Sequence, residues 1–325
     1  MASETLRGRF LWHELMSSDT GSAAAFYGKV IGWKTQAWEG DVNYSTWLAP
    51  SGSVGGLMTL PAEAAAMGAP PAWLLYIGTP NVDAAVADAE RLGARILKGV
   101  TEIPNVGRFA VVADPQGATF AAFTPSSAMG PPGEPAEPKL GEFSWHELAT
   151  TDHQGAFRFY RELFGWEKTG AHHMGPIGEY LLFGQAGKAF GGMFDKPKDM
   201  PGPSHWLSYV RVDDAATVAA RVNGAGGQLL HGPVEVPGGD WIAQLLDPQG
   251  AALAVVSTPK AAPAKKPAPK KSAANRKARP VAKKAARRKA ARKKVPARKP
   301  APRKTARKAA RGARRARARG GKRRR

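Results

Sequence analysis

Trp12-His13-Glu14-Leu15, Asp19, Phe26-Tyr27 and Gly32-Trp33 recur as Trp145-His146-Glu147-Leu148, Asp152, Phe159-Tyr160 and Gly165-Trp166, each landmark displaced by 133 residues. The same displacement carries Trp73 and Tyr76 onto Trp206 and Tyr209, and Asp114-Pro115-Gln116-Gly117 onto Asp247-Pro248-Gln249-Gly250. One offset shared by so many rare residues is the signature of a duplication. A chain of 325 residues also exceeds what one hydrophobic core usually serves, so two domains plus additional material are expected.

Within the first copy, residues 9–16 alternate as a strand does. The alternation places Phe10, Trp12, Glu14 and Met16 on one face and Leu11, His13 and Leu15 on the other. Asp19 then offers a helix cap, and Ala23, Phe26, Tyr27 and Val30 follow at helical spacing, so a short amphipathic helix runs to about Gly32. Strand-like runs follow at residues 44–48 and 54–60. After a break rich in Pro and Ala, Trp73 to Ile77 opens a second unit. Its helix spans Val82 to Leu92 and is ended by Gly93, and residues 108–113 and 119–123 are strands around the Asp-Pro-Gln-Gly turn. The second copy predicts helices over residues 154–164 and 215–224. Each half therefore reads as two strand-helix-strand-strand-strand units.

Composition divides the chain further. From Lys260 to Arg325 there are 31 Lys or Arg and no acidic residue, so the net charge of +22 conceals a body with an excess of nine acidic charges. We read domains at 8–125 and 142–259, a Pro-rich linker at 126–141, and a basic tail at 260–325. There is no cysteine, which excludes disulfides, thiolate metal sites and a cysteine nucleophile. The N-terminal residues have no basic start leading into an apolar core, and no apolar run approaches membrane-spanning length. The resulting expectation is a cytoplasmic, nucleoid-associated protein.

This order of elements, with Asp19, Phe26-Tyr27 and Gly32-Trp33 in the first unit and an Asp-Pro-x-Gly turn before the last strand, resembles the glyoxalase, bleomycin-resistance and extradiol-dioxygenase (vicinal oxygen chelate) superfamily. The resemblance covers about residues 8–258. It implies an α+β fold of two tandem domains, each of two βαβββ units curling around a cleft that in the enzymes holds a divalent metal. By the same resemblance the metal positions fall on Trp12, Leu74 and Ala121 in the first half and on Trp145, Leu207 and Ala254 in the second. The positions ending each first unit lie near Leu57 or Met58, and near Met193 or Phe194. None of these side chains suits a hard cation. No cofactor is expected, and a divalent metal only at a non-standard site.

His13 and His146 fall on the opposite strand face from Trp12 and Trp145. They are either ligands after a one-residue slip or histidines packed between sheet and helix, and the apolar pattern favours packing. Glu14 and Glu147 share the indole face. A carboxylate against an apolar wall can serve as a general acid or base, can hold a cationic or hydroxylated ligand, or can be a structural acid bonded to Tyr76 or Tyr209. Glu14 and Glu147 are thus the catalytic candidates, and Trp12, Glu14, Tyr76, Trp145, Glu147 and Tyr209 the ligand-binding candidates. His172, His173, His205 and His231 have no counterparts in the first half; they are either a metal site private to the second domain or surface histidines in loops, and with nothing fixing their mutual distance the surface reading is the default. Gly55-Gly56 and Gly191-Gly192 match no phosphate loop and read as strand glycines that permit close approach.

The tail resembles the C-terminal tails of linker histones. Its basic clusters are Lys265-Lys266, Lys270-Lys271, Lys283-Lys284, Arg287-Arg288-Lys289, Arg292-Lys293-Lys294, Arg314-Arg315, Arg317 and Arg323-Arg324-Arg325. With too little apolar surface for a core it is expected to be disordered alone, and with no aromatic residue it cannot stack on bases. The expected partner is the phosphate backbone of DNA or RNA, bound through counterion release. An anionic membrane lacks an apolar anchor here to hold it. The functional expectation is a small-molecule-binding protein tethered to nucleic acid, with an unidentified organic ligand. The alternative is a lyase or dioxygenase with a non-standard or absent metal site.

Overall fold

The computed structural model describes residues 6–129 and 136–259. The tail and the middle of the Pro-rich linker lie outside them. In the first half β1 (Phe10–Ser17), α1 (Thr20–Val30), β2 (Lys34–Trp38), β3 (Asp41–Ala49) and β4 (Gly52–Thr59) form one unit. A short α2 (Ala62–Ala66), where the sequence reads only as a break, leads to β5 (Ala72–Gly78), α3 (Val82–Arg91), β6 (Arg95–Ile103), β7 (Gly107–Ala113) and β8 (Thr119–Pro125). The second half repeats the plan as β9 (Phe143–Thr150), α4 (His153–Phe164), β10 (Glu167–His173), β11 (Glu179–Gln185) and β12 (Lys188–Asp195), then β13 (His205–Arg211), α5 (Ala215–Val222), β14 (Gln228–Glu235), β15 (Trp241–Leu246) and β16 (Ala252–Ser257).

Each half is one eight-stranded sheet, in the order β2-β3-β4-β1-β5-β8-β7-β6 and its counterpart β10-β11-β12-β9-β13-β16-β15-β14. The two units meet where β1 pairs antiparallel with β5, and β9 with β13. The helices start where the sequence places them because a side chain satisfies their first free N–H groups. Asp19 accepts from Ser22 N, Asp152 from Gly155 N and Asp214 from Ala216 N and Thr217 N. Gly165 closes α4 with φ of +74°, a conformation that a side chain makes costly.

The helical faces of the sheets are buried against the other half. One core joins Leu15, Phe26, Tyr27 and Trp47 to Val210, Val218, Leu245 and Leu253. The second joins Leu75, Phe120 and Ala122 to Leu148, Tyr160, Phe164 and Trp166. The two halves therefore share their cores and make one compact unit. Polar ties cross the same boundary: Trp33 Nε1 donates to Gly141 O at 2.8 Å, Trp166 Nε1 to Gly8 O at 2.8 Å, and the Arg7 guanidinium to the carbonyls of Glu162 and Leu163 near the end of α4. Among the described residues no helix is long and apolar enough to cross a membrane.

Two sequence expectations about β1 need correction. A bulge between Phe10 and Trp12 breaks the alternation. Phe10 thereby joins the histidine side, stacked on His146 at 3.6 Å, while Leu11 packs with the Trp12 cluster. His13 and His146 are buried as packed histidines, but against each other, with Nε2 atoms 2.9 Å apart, and not between sheet and helix. His13 stacks on Phe143 at 3.7 Å, so the four rings form a pseudo-symmetric seam between the halves.

Candidate functional site

The other face of each sheet, its cup, carries the Trp/Glu pair of its first strand. In the first cup Trp12 Nε1 donates to Tyr44 Oη at 2.9 Å, and Tyr76 Oη donates to Glu14 Oε1 at 2.9 Å. The Tyr44 hydroxyl also holds the Glu14 carboxyl down. In the second, Trp145 Nε1 donates to Tyr180 Oη at 3.0 Å, and Glu147 accepts from Tyr180 at 2.9 Å and Tyr209 at 3.1 Å. The six residues singled out from sequence thus fall into two equivalent clusters. Tyr44 and Tyr180 complete them. The fixed offset misses these two tyrosines because they lie 136 residues apart, the second half having three extra residues before β11.

Glycine makes each cluster possible. A Cβ on Gly56 would run into the Tyr44 hydroxyl, and one on Gly192 into the Tyr180 ring. One residue along, a Cβ on Gly55 or Gly191 would meet the carbonyl oxygen of His13 or His146 on the neighbouring strand. These are the strand glycines of close approach read from the sequence.

The electrostatics follow from burial. Withdrawal from water pushes the Glu14 and Glu147 carboxyls up, and the tyrosine hydrogen bonds partly offset this. Burial beside a carboxylate drives Tyr76, Tyr180 and Tyr209 well above the usual phenol range. The phenols consequently stay protonated as donors and the glutamates act as acceptors.

The cups differ in what fills them. Phe109 and Phe123, paired across β7 and β8, pack on Tyr76 with ring centroids 5.7 and 5.9 Å away. Glu14 and Tyr76 are left 7% and 5% exposed. At the matching positions the second cup has Ile242 and Val256, paired across β15 and β16, and Gln244 where the first has Val111. There a cavity of ≈ 1750 Å³ opens, lined by Trp145, Glu147, Tyr180, Phe194, Leu207, Tyr209, Ile242, Gln244 and Val256 among others. Glu147 is half-buried and faces it. Gln244 Nε2 donates to Tyr209 Oη at 2.9 Å. Sequence reasoning missed Gln244 because it has no polar counterpart in the first half.

His172, His205 and His231 also line this cavity and His173 does not; His172, His173 and His231 are exposed. All four stand on strands, on β10, β13 and β14, which corrects their reading as loop residues. Among the described residues no group of three or more His, Asp or Glu side chains could hold a metal ion. The positions that the resemblance assigns to metal ligands carry Trp, Leu, Ala, Met or Phe side chains in both halves, and a catalytic divalent metal needs about three N or O ligands. The donors that meet around Glu147, one carboxylate and one amide beside protonated phenols, do not fit such an ion. The nucleic-acid candidates from Lys265 to Arg325 lie outside the described residues.

Comparison with known proteins places these observations. The family model described as "Glyoxalase/Bleomycin resistance protein/Dioxygenase superfamily" matches residues 9–122 and again 142–255. A protein of Mycobacterium tuberculosis (strain CDC 1551 / Oshkosh) named "Putative glyoxylase CFP32" is 31% identical over 267 residues, 78% of this chain and 96% of that one. The anthracycline biosynthesis protein DnrV of Streptomyces peucetius is 26% identical, covering 78% of this chain and 94% of its own. Among solved structures, the Mn(II)-bound glyoxalase from Novosphingobium aromaticivorans aligns with a TM-score of 0.54 at 18% identity, over 77% of this chain and 82% of that one. The 2,3-dioxygenase LapB from Pseudomonas sp. KL28 aligns with a TM-score of 0.54 at 11% identity, over 78% and 93%.

Proposed function

Because the chain belongs to the glyoxalase/bleomycin resistance protein/dioxygenase superfamily, a scaffold that hosts many chemistries, we propose that it uses that scaffold as a metal-independent binder of one small organic molecule. The ligand sits in the second cup. The observation that carries this reading is the contrast between two copies of one cluster: Phe109 and Phe123 fill the first, and Ile242 and Val256 leave the second open. An apolar cavity with a few convergent polar groups is the usual form of a ligand site. The basic tail, with 31 positive charges and no negative one, tethers this binder to nucleic acid by counterion release.

The test uses Nile red, a neutral solvatochromic dye that reports apolar cavities. Wild-type protein binds it with a blue-shifted emission, and Ile242→Phe with Val256→Phe, which rebuilds the filling of the first cup, abolishes the signal. Unchanged emission in that variant refutes the assignment.

A further inference from the structure

Among the described residues the Glu147 carboxylate has no ion-pair partner. Its hydrogen-bond partners are Tyr180, Tyr209 and, at 3.4 Å, Gln244. Burial and the two tyrosine hydrogen bonds are the influences acting on it, with no positive group among them. Arg9, Lys188 and Arg211 also line the cavity; Lys188 pairs with Glu137 at 2.6 Å, Arg211 also acts on Glu137, and none of the three is among the influences on Glu147. A carboxylate withdrawn from water without a counter-charge is costly, and a ligand that supplies the charge recovers part of that cost.

The walls favour the same kind of ligand. Trp145, Tyr180, Phe194 and Tyr209 all line the cavity, and the rings of Tyr180 and Phe194 stack 5.9 Å apart. Aromatic faces attract cations, most strongly where water is excluded. Neutral donors have less to gain. Glu147 Oε1 already accepts from Tyr209 and Gln244, and Oε2 from Tyr180, so few of the roughly four acceptor positions of a carboxylate stay open. Attraction to a positive charge needs no vacant lone pair.

We propose that the second cup takes an organic cation, a protonated or quaternary amine on an apolar body, with its charge against Glu147 inside the aromatic wall. The proposal rests on the reading of this cup as the ligand site. The ring-bearing body occupies the space that Phe109 and Phe123 take in the first cup.

Three probes separate the possibilities. Benzyltrimethylammonium carries the charge and no hydrogen-bond donor, neopentylbenzene has the same shape with carbon in place of the charged nitrogen, and benzyl alcohol is a neutral donor. Saturation-transfer NMR titrations of the full chain should show benzyltrimethylammonium binding about tenfold tighter than either neutral probe. Glu147→Gln should remove that preference, with circular dichroism reporting that the variant is folded, and a preference kept in the folded variant would overturn the proposal. Should wild-type protein bind neopentylbenzene or benzyl alcohol as tightly as the cation, the cation proposal falls while the site stands. If none of the three binds, or if Ile242→Phe with Val256→Phe binds them all as before, the site reading falls with it.

Discussion

The Nε2 atoms of His13 and His146 lie 2.9 Å apart at the seam between the halves, so one ring must donate and the other accept. His146 Nδ1 lies 3.3 Å from Phe190 O. A proton on that nitrogen serves the carbonyl and leaves His146 Nε2 to accept from His13. Burial pushes His146 down to about 3 and His13 well below the usual imidazole range, and a charge on His146 would lower His13 further. With depressed values in the folded state, the pair contributes stability that is present above the ordinary histidine value of 6.5 and is lost as pH falls towards 3. Each ring that must take up a proton costs about 1.4 kcal/mol per pH unit across that window. The double variant His13→Gln, His146→Gln should lose less stability than wild type between pH 7 and pH 4 in urea denaturation. Asp114 and Asp247, raised by burial, act in the opposite direction in both proteins and cancel from the difference. Parallel pH curves would contradict the role given to the pair.

Tyr160 joins the halves by donating to Asp114 Oδ2 at 2.9 Å and accepting from Trp206 Nε1 at 3.1 Å. Tyr27 repeats the arrangement with Asp247 at 3.3 Å and Trp73 at 2.9 Å. Tyr160→Phe leaves both buried partners short of a bond and should cost about 2 kcal/mol, lowering Tm by about 4–8 °C in calorimetry. Tyr27→Phe should cost less, because its bond to aspartate is longer. A loss below about 0.5 kcal/mol, the size of an ordinary surface change, would show that these bonds do not hold the halves together.

Gly192→Ala drives a methyl group into the Tyr180 ring, displacing the tyrosine that bonds Glu147, and should abolish Nile red binding. Gly56→Ala makes the equivalent clash in the first cup and should lower stability while leaving dye binding intact. Equal effects of the two on binding would mean that both cups contribute.

Deleting residues 260–325 should abolish binding of a random-sequence DNA duplex, read by fluorescence anisotropy, with Nile red binding preserved. For the full chain log K should fall with log salt at a slope of about −0.9 per phosphate neutralised, or near −7 for about eight contacts. Equal DNA binding by the truncated chain would overturn the division of labour between body and tail.

Protein incubated with Mn(II) and then dialysed should retain far less than one equivalent, because among the described residues no three His, Asp or Glu side chains converge as a metal site. Stoichiometric retention would reassign the cup to metal-dependent catalysis.

The duplication made much of the fold legible. Capping aspartates, helical spacing and the Asp-Pro-Gln-Gly turns are local signals, and the elements lie close to where those signals put them. The pairing of His13 with His146 was not legible, since a strand pattern tells which face a residue takes and not what the other half places against it. The position of Phe10 was hidden by a bulge that breaks the two-residue period. The Trp/Glu/Tyr clusters could be assembled from a constant offset as far as Tyr76 and Tyr209, whereas Tyr180 needed the three-residue insertion and Gln244 had no counterpart at all. That the second cup is open depends on side-chain volume at Ile242 and Val256 after folding.

Native mass spectrometry with Nile red counts sites directly. Wild-type protein should take up one dye per chain, and Phe109→Ile with Phe123→Val, which gives the first cup the side chains of the second, should take up two. Two dyes on wild type, or none, would contradict the account of one filled and one open cup.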